Sequence, residues 1–91
     1  MMTVAVRQTV ADYGTWKQGF DGHEAARRQH GCTAHRVLRD GNDVLVLVDF
    51  PSRAAAESFT TDPTLREAMR RAGVQGAPDI TFREETETKS Y

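Results

Sequence analysis

The run Val44-Leu45-Val46-Leu47-Val48 restricts this chain more than any other stretch, because it is apolar on both faces of an extended strand. Such a strand lies centrally in a sheet, with both of its sides covered. The residues just before it, Asp40-Gly41-Asn42-Asp43, tolerate the positive backbone angles of a tight hairpin, and a second β-rich run, 33–39, precedes them. Residues 33–39 and 43–50 are therefore predicted to form a hairpin whose second strand is interior.

The flanking segments supply the partners. Residues 3–10 alternate, with Val4, Val6 and Val10 on one side and Thr3, Arg7 and Thr9 on the other, the period-two signature of a strand. Asp12 then offers an acceptor to the free amides of a new helix. Tyr13, Trp16 and Phe20 recur at helical spacing, and Gly31 can adopt the left-handed conformation that ends a helix, so one helix is predicted over roughly 13–30. Pro51-Ser52 breaks the hairpin strand and caps a short helix through Phe59. Asp62 restarts the helix as N-cap, with Pro63 at its first position, Leu65, Ala68, Met69 and Ala72 on one face, and Gly73 as the stop. Ile80 to Glu84 alternates as a fourth strand, and the polar tail 85–91 is expected to fray.

The order β-α-β-β-α-β is the α+β, ferredoxin-like arrangement, a four-stranded antiparallel sheet with its helices on one face. The 91 residues make one domain, 1–91. One helical layer covers one side of the sheet, so Leu45 and Leu47 would stand on a bare apolar face. A second copy of the same sheet is the simplest cover, which predicts a homodimer through that face. A monomer with a polar free face is the competing case.

Charge narrows the partners. Twelve Lys and Arg against thirteen Asp and Glu give a net charge of -1, so no global field draws nucleic acid or an anionic membrane. The longest apolar run is the five residues 44–48, well short of the ~20 needed to span a bilayer. A single cysteine, Cys32, excludes an internal disulfide, and the N-terminus has no basic-then-apolar leader, so a cytoplasmic location is expected.

Three stretches together resemble a known group: Val10-Ala11-Asp12-Tyr13-x-x-Trp16; then Phe20-x-x-His23, Arg27-Arg28 and Gly31; and Asp62-Pro63-x-Leu65-Arg66 through Ala68-Met69 and Ala72-Gly73-Val74 to Gly76-x-Pro78. They resemble the small dimeric α+β barrel proteins grouped with the antibiotic biosynthesis monooxygenases, some of which carry a cyclase label. The resemblance spans nearly the whole chain and implies the fold and the dimer more specifically than the reaction. Several members of that superfamily oxidise or cyclise aromatic, polyketide-like substrates without metal or flavin, so no cofactor is expected. Where such relatives often have a first-strand histidine this chain has Gln8, and where their third strand often ends in an acidic-Trp pair it has Asp49-Phe50. The quinone-forming members use an Asn in the pocket. Asn42, the one asparagine here, falls in the predicted turn instead.

Helix one carries the candidate chemistry. At about 100° per residue, Trp16, Phe20, His23, Arg27 and His30 fall within roughly 80° of one another. Trp16 and Phe20 must face the sheet, so His23 and Arg27 either line a wet cavity beneath an aromatic lid or project into solvent where the helix runs past the sheet edge. His23 is the candidate general acid or base. Arg27 would hold an enolate, phenolate or carboxylate, or pair structurally with Glu24 or Asp49. Trp16, Phe20, Gln8, His35 and Asp49 are the candidate substrate contacts, although His35 could face the pocket or the dimer interface and Asp49 is in phase with Leu45 and Leu47.

The remaining groups read as structural. His30 suits the carbonyl end of the helix. Cys32 is expected to be an inert thiol, and Phe50, Phe59, Leu65 and Met69 are expected in the core under the second helix. No His, Cys and Asp spacing suggests a metal site, and no phosphate loop, nucleophile elbow or nucleic-acid platform is present. The expectation is a cofactor-independent monooxygenase or cyclase acting on a small hydrophobic, aromatic or polyketide-like molecule. The alternative is a non-catalytic dimeric ligand-binding or scaffold protein.

Overall fold

A computed structural model describes residues 1–91. Four strands, β1 (Met2–Val10), β2 (Ala34–Asp40), β3 (Asp43–Phe50) and β4 (Val74–Glu84), form one antiparallel sheet in the order β2-β3-β1-β4. The two-faced run thus lies in an interior strand. Val44, Val46, Val48 and Phe50 of β3 are at most 2% exposed and point the same way as Val4, Val6, Gln8 and Val10 of β1. In the β2–β3 turn Gly41 has φ 59°, which the first central position of a two-residue hairpin demands.

Helices α1 (Tyr13–Gly22), α2 (Glu24–Gln29), α3 (Arg53–Thr60) and α4 (Pro63–Arg71) cover that buried face, and Trp16, Ala56, Phe59, Leu65 and Ala72 complete the core. The expected caps are formed. The carboxylate of Asp12 accepts from Thr15 N at 2.9 Å, the Ser52 hydroxyl from Ala55 N at 3.2 Å and the Asp62 carboxylate from Thr64 N at 2.9 Å.

Two features differ from expectation. The single helix 13–30 is in fact α1 and α2, broken at His23. The Phe20 carbonyl, which a continuous helix would give to the amide of Glu24, accepts instead from His23 N at 3.2 Å and Arg27 Nη1 at 2.7 Å. Gly19 and Gly22, both poor helix formers, weaken the same turn. Strand β4 begins at Val74 rather than Ile80. Its pairing with β1 is interrupted between Arg7 and Thr9, where 76–78 of β4 bulge opposite Gln8. Gly76 carries φ 70° and Pro78 lacks an N–H, so this part of the strand looks like a loop in the sequence. No helix is long and apolar enough to cross a membrane.

Candidate functional site

Between the sheet and the four helices lies a cavity floored by Val6, Gln8, Val46 and Val48 and walled by Phe20, His23, Arg27, Phe59, Leu65 and Met69. Its atom-free space is about 470 Å³ counted out to the open mouth, of which the centres of water-sized spheres reach about 50 Å³. At ~10–15 Å³ per water, it holds a few waters as it stands. Gly19, Ala68 and Ala72 form the rim where α1 crosses α4, and there a Cβ on Gly19 would stand 2.8 Å from Ala72 Cβ.

Arg27 is the unusual wall residue. It is 2% exposed, its Nη1 donates to the Phe20 carbonyl at 2.7 Å, and its guanidinium carbon lies 3.7 Å from the centre of the Phe20 ring. No carboxylate pairs with it, because Glu24 meets Arg28 at 3.4 Å and Asp21 meets Lys17 at 2.6 Å. Its Nε and Nη2 are buried without any acceptor, and on the floor Gln8 Oε1 is buried without a donor. Each such orphan costs about 1–3 kcal/mol, so three around one small cavity require an explanation. Burial lowers the Arg27 pKa, but a guanidinium stays charged throughout the physiological range.

His23 sits at the α1–α2 break, half-buried, with no hydrogen bond from its ring. Burial, and then the charge on Arg27, push its pKa below the ordinary 6.5, which leaves a neutral imidazole at pH 7. The site therefore sets a proton acceptor beside an uncompensated cation.

Comparison of the sequence with known protein families and with curated proteins finds no match. Comparison of the structure does. SnoaB, a cofactor-independent oxygenase from Streptomyces nogalater, superimposes with a TM-score of 0.77 at 16% identity over 96% of this chain and 94% of its own. An antibiotic biosynthesis monooxygenase structure gives 0.70 at 13% identity over 96% and 100%, and a candidate member from Deinococcus radiodurans gives 0.73 at 18% over 100% and 98%. The chain has the antibiotic biosynthesis monooxygenase fold.

Within this fold the seven residues singled out in the sequence separate into three groups. Gln8, Phe20, His23 and Arg27 meet at the cavity. Trp16 and His35 stand behind that wall. Trp16 is 3% exposed and stacks on Phe20 at 5.0 Å, while His35 meets the Phe20 ring edge-on at 5.0 Å from the helix-facing side of β2. Asp49 is on the opposite face of the sheet, where it accepts from the Thr3 hydroxyl at 2.7 Å.

His30 stands at the C-terminal end of α2, as the sequence suggests, and its ring also makes contacts across the helices. Its Nδ1 meets the Ser58 hydroxyl at 2.9 Å and its Nε2 the Asp62 carboxylate at 2.8 Å, so it ties α2 to α3 and α4. The Asp62 carboxyl is held down at about 2 by the His30 contact first and then by Thr64. Phe59, Leu65 and Met69, expected chiefly as core, line the cavity as well. Burial raises the Cys32 pKa, consistent with an unreactive thiol. No three His, Cys, Asp or Glu side chains converge as a metal site.

Proposed function

We propose that the protein is a cofactor-independent enzyme of the oxygenase or cyclase type, acting on a small hydrophobic molecule held in the cavity. The observation that carries this is the pairing of a neutral His23 with the buried, uncompensated Arg27 on one wall. His23 takes a proton from an acidic O–H or C–H of the substrate, and the free donors of Arg27 stabilise the oxygen that becomes negative. In the oxygenase form dioxygen is the co-substrate and the substrate supplies the electrons; the cyclase form needs proton transfer alone. The likeness to SnoaB, named a cofactor-independent oxygenase, supports this reading. One observation favours the alternative of binding without turnover: no group orients the His23 ring.

The working unit we propose is a homodimer. Leu38, 41% exposed, and the half-buried Leu45 and Leu47 share the sheet face that bears no helix. A second copy would bury them in a two-fold contact. Light scattering at micromolar concentration should return twice the 10.2 kDa of one chain, and a mass near one chain would refute the dimer. For the chemistry, oxygen uptake and product formation are followed with a panel of hydroxy-aromatic and 1,3-dicarbonyl compounds. His23→Ala should abolish turnover while leaving the fold intact. Turnover unchanged by that substitution removes His23 from the mechanism.

A further inference from the structure

The pattern of free and occupied nitrogens on Arg27 says more about the ligand than its charge does. Nη1 is committed to the Phe20 carbonyl, whereas Nε and Nη2 are both buried and both without an acceptor. These two nitrogens share one edge of the guanidinium, and their N–H bonds run side by side along it. That edge is the one that grips a two-oxygen anion with two parallel hydrogen bonds. The rest of the lining is mostly apolar, with Val6, Val46, Val48, Leu65 and Met69 around it, and its other polar groups are the His23 imidazole and the unpaired Gln8 Oε1. A buried cation at a cavity wall calls for an anion, and neither Asp21 nor Glu24 supplies one. Nε and Nη2 are closed off as the wall stands, so an anion reaches them only when Arg27 or the Phe20 ring stacked on it shifts.

The geometry points to a small monocarboxylate, with a short branched or cyclic apolar body, as the ligand of this cavity, its carboxylate bound two-pronged by Nε and Nη2 of Arg27. The inference rests on the reading of the cavity as a ligand site given above and names the ligand's chemical class, with Arg27 then anchoring the carboxylate rather than stabilising a developing oxyanion. The limited free volume restricts the apolar part to a few carbons unless Phe20 or Met69 moves. Single-oxygen anions such as a phenolate would leave one of the two donors unused.

The test uses the whole protein and 2-methylpropanoate, with 2-methylpropanamide as its uncharged isostere. Nuclear magnetic resonance of the arginine Nε–H groups is recorded during titration. The carboxylate should move the Arg27 Nε–H resonance saturably, and the amide should bind at least on the order of tenfold more weakly, the discrimination expected of hydrogen bonds to a charged group. Arg27→Met should reduce carboxylate binding by a similar factor. Should that variant fail to fold, the wild-type titration decides alone. An Arg27 resonance unmoved by the carboxylate, or moved equally by the amide or by chloride, overturns the proposal and leaves water as what fills the cavity. The two readings fail separately. Carboxylate binding without turnover of any panel compound supports this inference and counts against the enzyme. Turnover of neutral compounds with no carboxylate binding overturns this inference and leaves the enzyme standing.

Discussion

Replacing Arg27 by Met separates a guanidinium kept for the fold from one kept for a ligand. The substitution removes a charge-assisted hydrogen bond to the Phe20 carbonyl, about 1.5–3 kcal/mol. It also removes a cation stacked on Phe20, about 1–2 kcal/mol in a partly desolvated setting. Against this it relieves the two orphaned donors, Nε and Nη2, at about 1–3 kcal/mol each, and puts a flexible apolar chain of comparable length against an apolar wall. The opposing contributions, about 2.5–5 and about 2–6 kcal/mol, nearly cancel. Arg27→Met should therefore unfold in urea within about 2 kcal/mol of the wild type, on either side of it, at matched protein concentration. A loss of about 3–5 kcal/mol, as when a buried ion pair is broken, would show that the guanidinium is held by partners in the fold and refute the reasoning.

Gly19→Ala adds a Cβ 2.8 Å from Ala72 Cβ, and overpacking at about 1–3 kcal/mol should exceed the ~1 kcal/mol gained in helix propensity. Thermal melting should show a net loss near 1 kcal/mol that Ala72→Gly in the same chain reduces. Asp62, whose carboxyl is lowered from 3.8 to about 2, contributes stability that is present above pH 4 and lost as pH falls through about 2. Asp62→Asn should flatten the acid limb of the stability profile in that window, and an unchanged limb would mean other carboxylates dominate it. His23 has its pKa depressed by burial and by Arg27, so the acid limb of kcat/KM should lie below pH 6.5. Arg27→Met should move that limb upward, since it removes the charge that opposes imidazole protonation.

Local chemistry made much of the fold readable before any coordinates. The hairpin, the interior strand and the three side-chain caps each depend on residues within a few positions of one another, and all formed where expected. The helix break at His23 was only partly legible: Gly19 and Gly22 weaken that turn locally, but the Phe20 carbonyl is taken by a side chain seven residues away, which spacing does not reveal. Likewise Gly76 and Pro78 read as loop, while pairing with β1 holds them in an irregular strand. At the site, helical phase put His23 and Arg27 on the same face as Phe20 but left cavity wall and solvent both open, and only the packed structure shows them lining the cavity. Gln8 carried a further signal in the sequence, a polar side chain in phase with Val4, Val6 and Val10 on the buried side of β1. Whether Arg27 has a counter-ion depends on where Glu24 and Asp21 turn, and that is settled by side-chain packing rather than by spacing.

The bulge at 76–78 also governs what can attach to the sheet's border. β4 is an edge strand of eleven residues, long enough to recruit an extended segment from another chain. Gly76 at positive φ and Pro78 without an N–H break its outward row of donors and acceptors near the middle. The opposite border, β2, presents His35, Arg36, Arg39 and Asp40, charged or polar groups that discourage strand addition there. Lateral growth toward fibrils is thereby obstructed at both borders, which leaves the broad leucine-bearing surface as the face the proposed dimer would use.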